Sequence, residues 1–139
     1  MTNMEVIKTI YRRLKLNPLH FILGCMILAM GISLMVNDAF FYWPPQLQWL
    51  FNNDLIDCVA IIIGLGLIIF VLLGGQNQIA NAILLTFSTF FLTMLVILQL
   101  GHVLVMHDYN RLLSIIALTG WIFVIQYLAT HSKTVKRRK

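Results

Sequence analysis

Charged residues are scarce in this 139-residue chain, where they make up 11% of the total and only five are acidic. Hydrophobic residues make up 60%, against roughly 45–50% in an average soluble domain. A soluble domain of this length leaves about a third of its unfolded surface exposed, so much of that surface would have to be leucine and isoleucine. The composition therefore excludes an ordinary soluble globule and favours a chain whose solvent is lipid.

Cysteine is scarce as well, with Cys25 and Cys58 the two in the chain. They form neither a CxxC pair nor a spacing typical of metal ligands. A small apolar thiol is most often buried and inert, and we predict that state for both.

Catalytic motifs are lacking: the chain contains no HExxH, GxSxG or paired-cysteine pattern. The residues that could still build a metal-dependent site are scattered near two connections, at Asp54, Asp57, His102, His107 and Asp108. We interpret them as helix caps and topology anchors. The sequence thus predicts a protein that is not an enzyme, with no catalytic residue, no bound metal and no cofactor.

Four long apolar stretches account for most of the chain, at 19–36, 55–73, 79–100 and 112–129. Each is close to the ~20 residues with which a helix crosses ~30 Å of hydrocarbon. A helix satisfies its own backbone polar groups in lipid, whereas an isolated strand does not. The sequence predicts an all-α polytopic membrane protein, an antiparallel bundle of four transmembrane helices that forms a single membrane domain.

Basic residues stand almost entirely at the two ends of the chain. They are Lys8, Arg12, Arg13 and Lys15 before the first stretch, and Lys133, Lys136, Arg137, Arg138 and Lys139 after the fourth. The aspartates lie in or beside the first and third connections. By the positive-inside rule, we predict a multi-pass protein of the cell membrane with both termini in the cytoplasm. Charge confined to the ends argues against nucleic-acid binding and for contact with anionic headgroups of the inner leaflet.

The segment before the first span, 2–16, has an amphipathic pattern. Apolar residues recur at helical spacing at Met4, Ile7, Ile10, Tyr11 and Leu14. This pattern predicts a helix that lies on the inner leaflet, although a frayed basic stub is the alternative. After the fourth span, we predict a basic cytoplasmic tail over 130–139.

The first connection, 37–54, is rich in aromatic residues. Rings with one apolar and one polar end prefer the headgroup level of a membrane, so we predict Trp43 and Trp49 as anchors at the outer interface. The prolines at positions 44 and 45 end the first helix and permit a short new one over 46–51.

Small residues recur at helical spacing within the spans. The sets are Gly24 with Gly31, Cys25 with Ala29 and Ser33, Ala60 with Gly64, and Ala117 with Gly120. Such spacing lets helix backbones approach closely in lipid, either within one chain or between copies.

The third span carries the sharpest pattern. Ala82, Thr86, Thr89 and Thr93 follow one another at steps of four, three and four, which places them in one stripe. We predict that this stripe packs against other helices of the chain or against a second copy. Phe87, Phe91 and Leu98 should then face lipid more.

These features favour a non-enzymatic accessory or structural role, exercised through helix–helix contacts with a second copy or with a membrane partner. A few spans and a short basic tail in fewer than 150 residues also resemble the profile of phage holins. That resemblance implies the alternative function, an oligomeric pore.

Overall fold

The computed structural model describes residues 3–37, 40, 41 and 44–131, and these residues are mostly helical with no strand among them. The helices are α1 (Asn3–Leu16), α2 (Pro18–Met35), α3 (Gln48–Phe51), α4 (Asp54–Leu72), α5 (Gln78–Met106) and α6 (Leu112–His131). Two short 3₁₀ helices, Pro45–Leu47 and Tyr109–Arg111, directly precede α3 and α6. The chain is therefore all-α, as predicted.

Four helices, α2, α4, α5 and α6, are long and apolar enough to cross a membrane. Each coincides with one of the four apolar stretches, which confirms the prediction of four helices with the length and composition of membrane spans. Helix α5 extends beyond the predicted 79–100 and contains 29 residues, a length of about 44 Å. It therefore exceeds the ~30 Å of a hydrocarbon core.

Asparagine side chains cap the N-termini of two of the long helices. Asn53 Oδ1 accepts a hydrogen bond from the Leu55 backbone nitrogen at 2.9 Å, at the start of α4. Asn77 Oδ1 accepts from Ile79 and Ala80 at 3.0 and 3.2 Å, at the start of α5. These caps satisfy backbone N–H groups that have no partner within the helix.

Helices α2 and α4 pack with their backbones in contact. A Cβ added at Gly64 would lie 2.6 Å from the backbone nitrogen of Leu28, and one added at Gly31 would lie 2.9 Å from that of Ile61. Ala60 is fully buried in the same seam. The predicted close approach at Gly24, Gly31, Ala60 and Gly64 is thus confirmed within one chain.

The other small residues lie on outward faces. Cys25, Ala29 and Ser33 are exposed on α2, and Ala117 and Gly120 are exposed on α6. A Cβ added at Gly120 would meet no atom within 4 Å. The prediction of buried thiols is wrong, since Cys25 and Cys58 are both exposed. The reason is rotation: the contact between α2 and α4 is made by the faces that carry Gly24 and Gly64.

Helix α5 supplies the central seam of the core. Its buried residues alternate at steps of four and three, at Asn81, Leu85, Ser88, Leu92, Leu95, Gln99 and His102. This spacing is that of a packed helix seam, with polar residues toward both ends and leucines between them. Phe91 and Leu98 flank the seam at 3% and 4% exposure, so the prediction that they face lipid is wrong. Phe87, at 52% exposure, does face outward.

Candidate docking groove between α5 and α6

A groove with a volume of about 540 Å³ lies between α5 and α6. It is lined by Gln78, Asn81, Ala82, Leu85, Thr86, Thr89, Phe90, Ile125, Gln126 and Ala129. Half of these side chains carry a carboxamide or a hydroxyl. The groove therefore combines an apolar floor with polar groups inside two helices that are apolar enough to span a membrane.

The structure places three members of the predicted stripe in this groove. Ala82 and Thr86 are exposed and Thr89 is half-buried, and all three line it. Thr93 is half-buried on the same face of α5 but does not line the groove. The stripe is thus open on its outer side, whereas Asn81, on the neighbouring line, is buried.

The hydroxyl groups of α5 differ in their hydrogen bonding. Thr89 Oγ1 donates to the Leu85 carbonyl at 2.9 Å, and Ser88 Oγ donates to the Leu84 carbonyl at 2.7 Å. A bond to the carbonyl four residues earlier is the usual way in which such residues satisfy themselves in a helix. Thr86, by contrast, makes no side-chain hydrogen bond to any described residue, so its hydroxyl can bind a partner in the groove.

Asn81 connects the groove to the core. Its Oδ1 lies 2.9 Å from His20 Nε2 of α2, and the two residues are only 7% and 6% exposed. This contact uses one end of the amide. The other end makes no hydrogen bond to the described part of the chain, and Asn81 is one of the residues that line the groove. The unused end is the amide nitrogen, which can donate a hydrogen bond to a polar group that enters the groove.

A second, shallower depression lies on the outward face of α2 and is lined by Ala29, Ile32, Ser33, Val36 and Asn37. It follows the exposed line of Cys25, Ala29 and Ser33. These three side chains are small, and the larger Ile32 and Val36 border them, so another helix can approach closely along the line itself.

Helix α1 is attached to the turn between α4 and α5. The Arg13 guanidinium donates through Nη1 to the carbonyl of Leu72, in the last turn of α4. A cation at a helix C-terminus is favourable because the carbonyls there carry partial negative charge. Gly74 and Gly75 adopt positive φ in this turn, and a Cβ at Gly75 would lie 2.8 Å from the amide of Asn17.

The apolar side chains of α1 are mostly uncovered. Met4, Ile7 and Tyr11 are 68%, 66% and 69% exposed, Ile10 is also exposed, and Leu14 is half-buried. The predicted helix is therefore present over Asn3–Leu16, and the chain itself leaves most of its apolar face open.

At the other end of the long helices, the first connection contacts the connection between α5 and α6. Arg111 Nε donates to Asp108 at 2.9 Å, and the guanidinium lies over the Phe40 ring, 4.9 Å from its centroid. Phe41 is 1% exposed, and its backbone exchanges two hydrogen bonds of 3.0 and 2.9 Å with the Asn52 side chain. These contacts hold the aromatic connection in place.

The two predicted interface anchors have different outcomes. Trp49, in α3, is 70% exposed, so its ring is free of the protein core. Trp43 lies outside the described residues. The predicted short helix over 46–51 is present as Pro45–Leu47 followed by Gln48–Phe51.

The scattered acidic and histidine residues do not converge. Asp57 and His102 are buried at 4% and 1% exposure, Asp54 and His107 are exposed, and Asp108 pairs with Arg111. Among the described residues, no group of three His, Cys, Asp or Glu side chains could hold a metal ion.

Sequence reasoning missed two polar contacts, His20 with Asn81 and Phe41 with Asn52. The sequence did contain an indication of the first contact, because Asn81 is the first residue of the series at steps of four and three that ends at His102. The second has no comparable signal, because it joins a backbone and a side chain across a loop.

Comparisons with known proteins place no further constraint on this arrangement. No family model, no curated protein and no solved structure matches the chain. Its function has to be inferred from the groove, the exposed helix faces and the distribution of charge.

Proposed function

We propose that this chain is a non-enzymatic accessory or structural membrane protein that acts through helix–helix contacts with a second copy or with a membrane partner. The observation that carries the proposal is the groove between α5 and α6. Thr86 and Gln126 are exposed there within helices that are apolar enough to span a bilayer. Hydroxyl and carboxamide groups in lipid are stabilised by hydrogen bonds to a neighbouring helix. A docked helix can supply such bonds, whereas acyl chains cannot.

We further propose an antiparallel four-helix bundle in the cell membrane, with both termini cytoplasmic and α1 on the inner leaflet. The uncovered apolar residues of α1, such as Met4 and Ile7, support its placement at a lipid surface. The basic residues Lys8, Arg12 and Lys15 would contact anionic headgroups from the same helix. Trp43 and Trp49 would then lie at the opposite, outer interface.

This orientation predicts the labelling of a cysteine placed at Asn53. In a variant with Cys25→Ser and Cys58→Ser, Asn53→Cys should react with a membrane-impermeant maleimide added to intact cells, because it precedes α4 on the proposed outer side. A cysteine at Gln76, in the α4–α5 turn, should react only after lysis and serves as the matched control. The reverse pattern would show that the orientation is inverted.

Filling the groove should abolish the contacts without unfolding the chain. We expect Thr86→Leu to reduce the cross-linked oligomer or partner complex at least tenfold, because leucine blocks the groove and removes the unused hydroxyl. The measurement is chemical cross-linking in native membranes, followed by electrophoresis.

Phe87→Leu is the control, because Phe87 is the next residue on α5 and is 52% exposed away from the groove. It should leave both cross-linking and stability unchanged. Equal loss in the two variants would contradict a role of the groove, and unfolding of Thr86→Leu alone would make the stripe part of the core.

A holin-like oligomeric pore is the second candidate, and the polar lining of the groove is the observation that favours it. If copies assemble in a ring, Gln78, Thr86 and Gln126 could face a water-filled passage instead of lipid. Liposomes that contain the purified protein would then release a trapped dye, and Thr86→Leu would stop the release. An intact oligomer in liposomes that retain the dye would favour the accessory role.

A further inference from the structure

The exposed face of α2 and the groove lie at matching positions along their helices. His20 of α2 and Asn81 of α5 are in hydrogen-bond contact, and both helices run from that contact in the same direction. Cys25 is five positions after His20, and Thr86 is five positions after Asn81. At the rise of an α-helix, both side chains therefore lie about 7.5 Å further along the span.

The match continues along both helices. Ala29 is nine positions after His20, and Thr89 is eight after Asn81, a difference of about 1.5 Å in depth. Ser33 and Thr93 are thirteen and twelve positions along in the same way. Copies inserted in one bilayer with the same orientation keep these depths, so the two surfaces can meet without either copy shifting along the membrane normal.

The two surfaces are also complementary in shape and chemistry. The groove is a concave site with a volume of about 540 Å³. The Cys25–Ala29–Ser33 line of α2 carries small side chains, with the larger Ile32 and Val36 exposed beside it. The Thr86 hydroxyl and one end of the Asn81 amide are unused on the groove side. Ser33, whose hydroxyl makes no bond to a described residue, is exposed on the α2 side. Small and hydroxylic residues are those that let transmembrane helices pack closely.

We propose that the groove between α5 and α6 of one copy receives the Cys25–Ala29–Ser33 face of α2 from the next copy. This inference rests on the proposed function and names the second copy as the occupant of the groove. The face and the groove are different parts of the surface, so each copy can bind one neighbour through its α2 face and another neighbour through its groove. Such a heterologous contact builds a ring or an open row of copies, in contrast to a two-fold dimer.

Disulfide cross-linking between native Cys25 and an introduced Thr86→Cys tests this proposal. In a Cys58→Ser background, mild oxidation of native membranes should join Cys25 of one copy to the new cysteine of the next. A disulfide requires Cα atoms about 4.4–6.8 Å apart, and small residues at a helix contact permit such a close approach. Each chain then takes part in two bonds. We expect a ladder of dimers, trimers and larger species on a non-reducing gel, and its collapse to monomer after reduction.

Three controls make the result specific. Cys58→Ser alone should give no covalent oligomer, and neither should Thr86→Cys combined with Cys25→Ser. Phe87→Cys with native Cys25 should give at least tenfold less product, because it lies at nearly the same depth but about 100° around the helix. A second pair, Ala29→Cys with Thr89→Cys in a cysteine-free background, should reproduce the ladder.

The remaining outcomes separate this inference from the proposed function. A dimer formed by Cys25 alone would indicate an α2–α2 contact with two-fold symmetry and overturn the inference. In another outcome, neither designed pair gives a ladder, but Thr86→Leu still abolishes the chemical cross-links. The groove would then be a docking site for some other helix, and α2 of a second copy would be excluded as its occupant. If Thr86→Leu changes nothing and neither pair forms a ladder, both the inference and the proposed function fail.

Discussion

Replacement of Gly64 by alanine is expected to separate α2 from α4 and to lower the free energy of unfolding by about 2–3 kcal/mol, near the upper part of the range for overpacked cores. The added Cβ would lie 2.6 Å from the backbone nitrogen of Leu28 and 2.8 Å from its Cα. Backbone atoms cannot rotate away as a flexible side chain can, so one helix has to move. The measurement is reversible unfolding in mixed detergent–lipid micelles.

Gly120→Ala is the matched control on α6. A Cβ there meets nothing within 4 Å, and alanine is favoured over glycine in a helix by up to about 1 kcal/mol. We therefore expect this variant to be neutral or slightly more stable. If Gly64→Ala were as stable as Gly120→Ala, the close packing of α2 on α4 would be refuted.

Loss of one partner from the buried pair His20–Asn81 is the second change with a large expected effect. Asn81→Leu keeps the branched shape and the number of heavy atoms of the side chain but leaves the imidazole of His20 buried without its partner. A buried polar group left without its bond costs about 1–3 kcal/mol. In membrane proteins the individual bonds average about 0.6 and reach about 1.7 kcal/mol, so we expect a loss of about 1–2 kcal/mol.

A double-mutant cycle isolates this bond from other effects of the substitutions. His20→Leu with Asn81→Leu replaces both polar groups by apolar ones and should recover most of the stability lost in Asn81→Leu, because no polar group then remains unpaired. Thr119→Val on α6 is a control for a hydroxyl that bonds only within its own helix. Strictly additive losses in the double variant would mean that the two side chains are not coupled.

The sequence predicted well where the four long helices lie along the chain. It predicted less well which residues of each helix face outward and which face the core. Thr86 and Asn81 illustrate the difference. They are five residues apart on α5 and hence about 140° apart around its axis, and both are polar. Composition alone does not distinguish Thr86, which is exposed in the groove, from Asn81, which is buried against His20. Cys25 and Gly24 are adjacent on α2, and a rotation of that helix by about 100° would bring one into the environment of the other.

The groove itself could be predicted only in part. Ala82, Thr86 and Thr89 were recognisable as a stripe because helical spacing puts them on one face. The contribution of Gln126 and Ile125 from α6 was not recognisable, since it depends on how far α5 and α6 lie apart. The exposed face of α2 was visible as the series Cys25, Ala29 and Ser33, but its depth relative to Thr86 became known only through the contact of His20 with Asn81.

By itself, the sequence determined that this protein has four apolar helices able to span a membrane, a separate amphipathic helix before them and a short helix in the first connection. These properties depend on sums over neighbouring residues, such as the length of an apolar run, and such sums need no knowledge of the fold. The tertiary structure decided which glycines form the α2–α4 seam, that both cysteines lie on outward faces, and that the threonine stripe of α5 borders a groove. The physical reason is that lipid accepts any apolar face of a helix, so the rotation of each helix about its axis is set by packing against its neighbours.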